Sequence, residues 1–163
     1  MYLDDYKEMI SMSNKLKIVL WLLGIVAVAV LGSVFVNLGI DWFNSLSKPT
    51  QWIPNIVIPI MWTIIYSLFG VMVILWLRKQ DFPVIIKWLL IINGVLNVIW
   101  CLVFFTLNLT FVGNVVIIIN LIASIVLFIA INRREPIYSY LVSIYPIWLC
   151  LATTLNTCLW ILN

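Results

Sequence analysis

KPTQWIPNIVIPIMWTIIY, residues 48–66, carries three prolines and two tryptophans across the passage from a polar loop into an apolar helix. Pro49 and Pro54 bias the residues before them toward extended backbone, so a helix cannot comfortably begin before about Asn55. A start near Ile56 puts Pro59 in the first turn, where a missing N–H costs little because the opening N–H groups of a helix have no internal partner. From that start Trp62, Tyr66 and Phe69 recur at helical spacing and share one face of the descending helix.

Around that stretch the chain is 65% hydrophobic and 9% charged, against about 45–50% and about 25% for a soluble domain. The composition is that of an integral membrane protein. A bilayer core takes about 20 apolar residues per helix, and the runs at about 18–40, 56–77, 84–105, 111–131 and 136–162 supply five of them. The expected fold is an all-α bundle of five transmembrane helices, one domain over 18–163 behind a polar tail, 1–17, that lies on the membrane surface or is disordered. In the first run Ala27-Val28-Ala29 has the look of a signal-peptide cleavage site, yet the apolar stretch continues well past it and reads as a retained helix. Ala29 and Ser33 form a small-xxx-small pair suited to close helix packing. Cys101, Cys150 and Cys158 sit in apolar runs without Cys-x-x-Cys spacing and read as reduced packing residues.

Asp41 to Asn55 is the longest connection. Its Trp42, Phe43 and Trp52 suit either a binding-site lid or an aromatic belt at the headgroups. Asn114, Asn120 and Ser124 on the fourth helix are expected to make interhelical hydrogen bonds, and Pro146 is expected to kink the fifth. Eight basic residues (Lys7, Lys15, Lys17, Arg78, Lys79, Lys87, Arg133, Arg134) fall on one side of the membrane and Lys48 alone on the other. By the positive-inside rule the N-terminus is cytoplasmic, while the first loop and the C-terminus face out.

Asp, Glu, Lys and Arg are missing from 89–131, from the first two helices and after Glu135, and the chain has no histidine. That removes proton relays, ion-coupled pumps and voltage sensors, which need such groups at depth. It also removes histidine-ligated haem, His/carboxylate metal sites and conventional acid–base or triad catalysis. The basic residues are scattered over loops and form no nucleic-acid patch. What is left at depth is amide, hydroxyl and indole. Asn93, Asn97, Trp100 and Phe104 form one stripe on helix three; Tyr145, Trp148, Ala152 and Asn156 form another on helix five. Taken alone, these stripes fit ordinary helix packing or an apolar ligand pocket beneath the first loop.

Three stretches in order resemble one family. Trp42-x-x-x-Leu46-x-Lys48-Pro49, Trp52-x-Pro54 and Trp62-Thr63-x-x-Tyr66 resemble the first loop and second helix of the tryptophan-rich sensory protein family, which includes the mitochondrial translocator protein. Asn97-x-x-Trp100-x-x-x-Phe104-Phe105 is similar to its third-helix signature. Tyr145-x-x-Trp148-x-x-x-Ala152-x-x-Leu155-Asn156-x-x-x-Trp160-x-Leu162-Asn163 is similar to its C-terminal helix.

The resemblance implies a five-helix membrane protein, often a homodimer, in a bacterial cell membrane, with a pocket that accepts porphyrins and drug-like hydrophobic molecules. Position by position it implies ligand contacts from Trp62, Asn97, Trp148 and Ala152, with Pro49, Trp52 and Pro54 shaping the lid; Tyr66, Trp100 and Tyr145 join them from the aromatic stripes. The expected function is a receptor or sensor for protoporphyrin-like ligands, with no metal or resident cofactor. The alternatives are light-dependent protoporphyrin breakdown, with Trp62 and Trp148 as the redox-active residues, and passive transport of tetrapyrroles or other lipophiles. The sterol-recognition pattern needs a basic residue that the end of helix five lacks, so cholesterol binding is not expected.

Overall fold

The computed structural model describes the backbone of residues 2–49 and 53–163, with side chains from residue 12 onward. Among the described residues five segments are long and apolar enough to cross a bilayer: Met12–Leu38, Val57–Lys79, Val84–Thr106, Thr110–Asn132 and Pro136–Leu162. The helices are α1 (Tyr2–Leu38), a short α2 (Ile40–Ser45), α3 (Val57–Lys79), α4 (Val84–Cys101), α5 (Thr110–Asn132), α6 (Pro136–Val142) and α7 (Ile144–Leu162).

Four boundaries differ from the sequence reading. The polar tail is not separate, because α1 runs from Tyr2 into the first span without interruption. The first loop opens with α2, so Trp42 and Phe43 are held on a helical turn. The third span ends in a π-helical turn, Leu102–Thr106. A π turn is wider than an α turn, and this one lets the neighbours Phe104 and Phe105 both be buried. The fifth span is two helices meeting at Ser143. Pro146 stands in the first turn of α7, where it deprives Val142 of its helical donor; the expected kink therefore falls on the preceding turn.

In the membrane plane α1 packs on α3 and α4, α4 on α5, α5 on both α6 and α7, and α3 on α6. The ring is uneven. α3 meets α6 over a broad contact and α7 only slightly, so the second and fifth spans diverge toward the end where the first loop lies. The apolar faces of α1 and α5 point outward, as Leu23, Val30, Ile119 and Ile122 illustrate. The amides of the fourth span turn inward. Asn120 accepts from the Tyr145 hydroxyl at 3.1 Å and Asn114 from Thr157 at 2.9 Å, both across to α7, while Ser124 bonds only Leu121 of its own helix. Of the cysteines, Cys101 is buried as expected; Cys150 and Cys158 instead face outward.

The loops sort to opposite ends. Lys17 and Lys87 each reach Asp81 at 3.0 Å, which ties α1 to the α3–α4 turn, and Glu135 takes Gln80 at 3.0 Å and Lys79 at 3.8 Å, which joins that turn to the α5–α6 turn. At the other, the Asn163 side chain accepts from the Ser47 N–H at 2.9 Å and donates to the Ser47 carbonyl at 3.1 Å, which fastens the first loop to the end of α7. Arg78, Arg133 and Arg134 lie at the Asp81 end and Lys48 at the Ser47 end, the asymmetry anticipated from the sequence.

Candidate functional site

Beneath the first loop the aromatic residues form a continuous assembly. Trp62 on α3 stacks on Tyr66 at 5.7 Å, touches Trp100 of α4 at 6.3 Å and meets Tyr145 of α7 edge-on at 6.2 Å. Trp100 in turn stacks on Phe104 at 6.0 Å. The roof comes from α2: Trp42 meets Phe104 edge-on at 5.6 Å and Phe43 lies 5.2 Å from Phe105. Lys48 sits 4.5 Å above the Phe43 ring, a cation–π contact that leaves its charge outside the apolar layer. Such offset and edge-on pairs are the favoured aromatic geometries.

Two details of the backbone hold this roof down. A Cβ on Gly39 would lie 1.8 Å from the Phe105 carbonyl oxygen, so only glycine lets the α1–α2 corner sit on the π turn. Beside it the Thr106 hydroxyl donates to the Phe35 carbonyl at 2.9 Å.

The assembly encloses two adjoining spaces. A cavity of about 410 Å³ lies between α1, α2, α3 and α4. Asn97, Tyr66 and Cys101 stand in its wall, with Ala29 and Ser33 on α1; that small pair thus borders open space instead of a close helix contact. A second space of about 40 Å³ lies between α3, the π turn and α7, walled by Trp62, Trp100, Trp148, Ala152 and Asn156. Phe43, Ile58, Trp62, Trp100 and Phe105 belong to both walls, so two indoles are the partition.

The smaller space carries the polar signal. Trp148 Nε1–H and Asn156 Nδ2–H are buried and have no hydrogen-bond partner. Asn156 uses its oxygen to accept from Trp100 Nε1 at 3.2 Å, which leaves the amino end spare. Buried donors without acceptors cost about 1–3 kcal/mol each. Asn97, by contrast, uses its oxygen to accept from Cys101 Sγ at 3.9 Å.

Of the residues singled out from the sequence, Trp62, Trp100, Trp148 and Ala152 are brought to the small cavity. Tyr66 and Asn97 border the larger one. Tyr145 lies deeper, against Phe69 at 5.5 Å. Pro49 and Pro54 lie in the loop and line none of these walls, although the Pro54 carbonyl accepts the Val57 N–H at 2.9 Å and so starts α3. Trp52 is outside the described residues. Asn156 belonged to the helix-five stripe, but its spare donor depends on which neighbour occupies its oxygen; Phe43 and Phe105 became wall residues only through α2 and the π turn.

The sequence profile of the TspO/MBR family matches residues 20–161. The tryptophan-rich protein TspO of Archaeoglobus fulgidus is 30% identical over 152 residues, covering 92% of this chain and 99% of that protein.

Proposed function

The chain belongs to the TspO/MBR family, and from that premise we propose that it is a membrane receptor or sensor whose tryptophan cavity binds a flat, apolar ligand of the porphyrin type. Family membership supports the broader statement, a sensor, receptor or transporter in the membrane. The observation that carries the finer one is the pair of unpartnered donors, Trp148 Nε1–H and Asn156 Nδ2–H, in an otherwise aromatic wall. A ligand with an acceptor at its edge, a carbonyl or carboxylate, satisfies both donors while its rings replace the contacts Trp62 and Trp100 make with each other. About 40 Å³ is far too small for such a ring system. Binding therefore separates the two indoles and joins the small cavity to the one of about 410 Å³ beside it. Trp62 and Trp100 stand on α3 and α4, which do not pack directly on each other, and α3 meets α7 only slightly, so that movement breaks no packed helix interface. By the positive-inside rule the Asp81 end faces the cytoplasm and the ligand enters from the outer leaflet or the exterior.

The test is quenching of tryptophan fluorescence by protoporphyrin in the dark, with detergent-solubilised wild type, Trp148→Phe, Asn156→Leu and Asn97→Ala. Saturable quenching is expected, weakened about fivefold by loss of either spare donor, the worth of one hydrogen bond. Asn97→Ala is expected to act less, because Asn97 lines only the larger space and its oxygen already accepts from Cys101. Non-saturable quenching, identical in all four proteins, returns the aromatic stripes to helix packing. Light-dependent breakdown is a second reading, favoured by the presence of Trp62 and Trp148 in one wall. Illuminating the same samples tests it: product formation that disappears in Trp148→Phe supports it, and loss of porphyrin at the protein-free rate removes it.

A further inference from the structure

Toward the Asp81 end a third space, of about 220 Å³, lies between α1, α3 and α4. A dry cavity of about 150 Å³ accepts benzene, so this one has room for a substituted ring. Its walls are Trp21, Ile25 and Val28 of α1, Ile65, Phe69 and Val73 of α3, and the Leu90–Asn97 stretch of α4. It is separate from the tryptophan cavity, and Tyr66 and Asn97 stand between it and the larger outer space.

Asn93 distinguishes this space from a packing defect. The residue is 4% exposed and forms part of the wall. Its Nδ2 donates to the Leu89 carbonyl at 2.7 Å and to the Ala123 carbonyl of α5 at 3.3 Å, which fixes the amino end toward α5. The carbonyl oxygen is buried and has no partner. An apolar chamber with one unpaired acceptor matches an apolar molecule with one donor. Two glycines shape the entrance. A Cβ on Gly24 would meet nothing within 4 Å, and one on Gly94 would lie 3.2 Å from Val28 Cγ2. Ile91 and Val95, also in the wall, face outward, so the space opens sideways to lipid between α1 and α4.

We propose that this chamber is a second binding site, which takes a membrane-dissolved phenol or alcohol whose hydroxyl donates to Asn93 Oδ1. A carboxylate or quaternary amine is excluded by its charge in an apolar wall, and a plain hydrocarbon forgoes the hydrogen bond.

Calorimetric titration of the full chain in phosphatidylcholine nanodiscs, blanked against empty discs, tests the proposal with 4-hexylphenol and hexylbenzene as probes. The phenol is expected to bind saturably and at least about fivefold more tightly than the hydrocarbon, the equivalent of one net hydrogen bond. Gly24→Leu fills the chamber from a position where added atoms meet open space; it is expected to abolish binding while the protein keeps its thermal midpoint. Ser33→Phe, which obstructs only the outer space, is expected to leave phenol binding unchanged. Equal affinity for the two probes, full binding by Gly24→Leu, or loss of binding in Ser33→Phe overturns the assignment. Asn93→Leu adds a further check when it folds, because binding of the phenol then drops to the level of the hydrocarbon.

Discussion

At the Asp81 end of the bundle Trp76 is fully buried between Phe82 and Tyr138, each 5.2 Å away, and two carboxylates gather three lysines and a glutamine above it. At the opposite end Trp62 is only partly buried, Trp148 and Asn156 have spare donors, and two cavities adjoin. The same residue type does different work in the two places. Where α3 lies against α6, tryptophan is filler that fixes the helices; where α3 and α7 diverge, tryptophans wall a space that the chain itself leaves incomplete.

The largest expected effect tests that difference directly. Trp76→Ala removes a completely buried indole and is expected to cost about 3–5 kcal/mol, read as the loss of unfolding free energy in a denaturing-detergent titration. Trp62→Ala in the same assay is expected to cost less than half as much. Equal losses would mean that the outer end is packed as firmly as the inner one, and the contrast would fail.

Gly39→Ala probes how the outer roof is held. The added Cβ has no room against the Phe105 carbonyl, so the α1–α2 corner must lift from the π turn at an expected cost of about 1–3 kcal/mol. A lowered thermal midpoint, accompanied by weaker protoporphyrin quenching, is the predicted pair of results.

A smaller effect separates filler from wall. Trp148 and Trp76 both have a buried indole N–H without a partner, and changing either to Phe removes that penalty while leaving a small void. Both substitutions are expected to shift stability by under about 1 kcal/mol, since the two terms oppose each other. Only Trp148→Phe is expected to weaken ligand binding; a like effect from Trp76→Phe would make the binding change indirect.

The smallest effect lies in the ion pairs. Burial alone would raise the Asp81 carboxyl, but hydrogen bonds from Lys17 and Lys87 outweigh it and hold the group below its ordinary value of 3.8. A lowered folded value means a contribution that is present above the unfolded value and lost as pH falls through the folded one. Stability at this end is therefore expected to be flat from pH 7 to about pH 5 and to decline as pH falls through the ordinary carboxylate range and below it. Asp81 is partly exposed, so Asp81→Asn is expected to cost under about 1 kcal/mol, diminishing with salt. Thermal midpoints against pH, for both proteins, check it.

Much of the helical frame was legible because lipid demands long apolar runs, and the prolines at 54, 59, 83 and 136 punctuate them. The stripes Asn97-Trp100 and Trp148-Ala152 were legible from period alone. The π turn was not, since no proline or glycine marks 102–106; it reflects the need to bury adjacent phenylalanines beneath α2. Which asparagine keeps a spare donor was equally hidden. Asn93, Asn97 and Asn156 look alike in sequence, and only the neighbours that occupy their amide atoms distinguish them. Ala29 and Ser33 show the reverse error, where a packing pattern turned out to line empty space.

The sideways opening beside Ile91 and Val95 changes what concentration means for this protein. A molecule that reaches the chamber through lipid arrives from a reservoir in which it has already been enriched, by about 0.8 kcal/mol for every methylene it carries. Lengthening an alkyl tail then raises apparent potency per mole in water while the protein contributes nothing to the gain. Partition coefficients therefore have to be divided out before homologous compounds are ranked, and the ranking that survives reports the hydroxyl at Asn93.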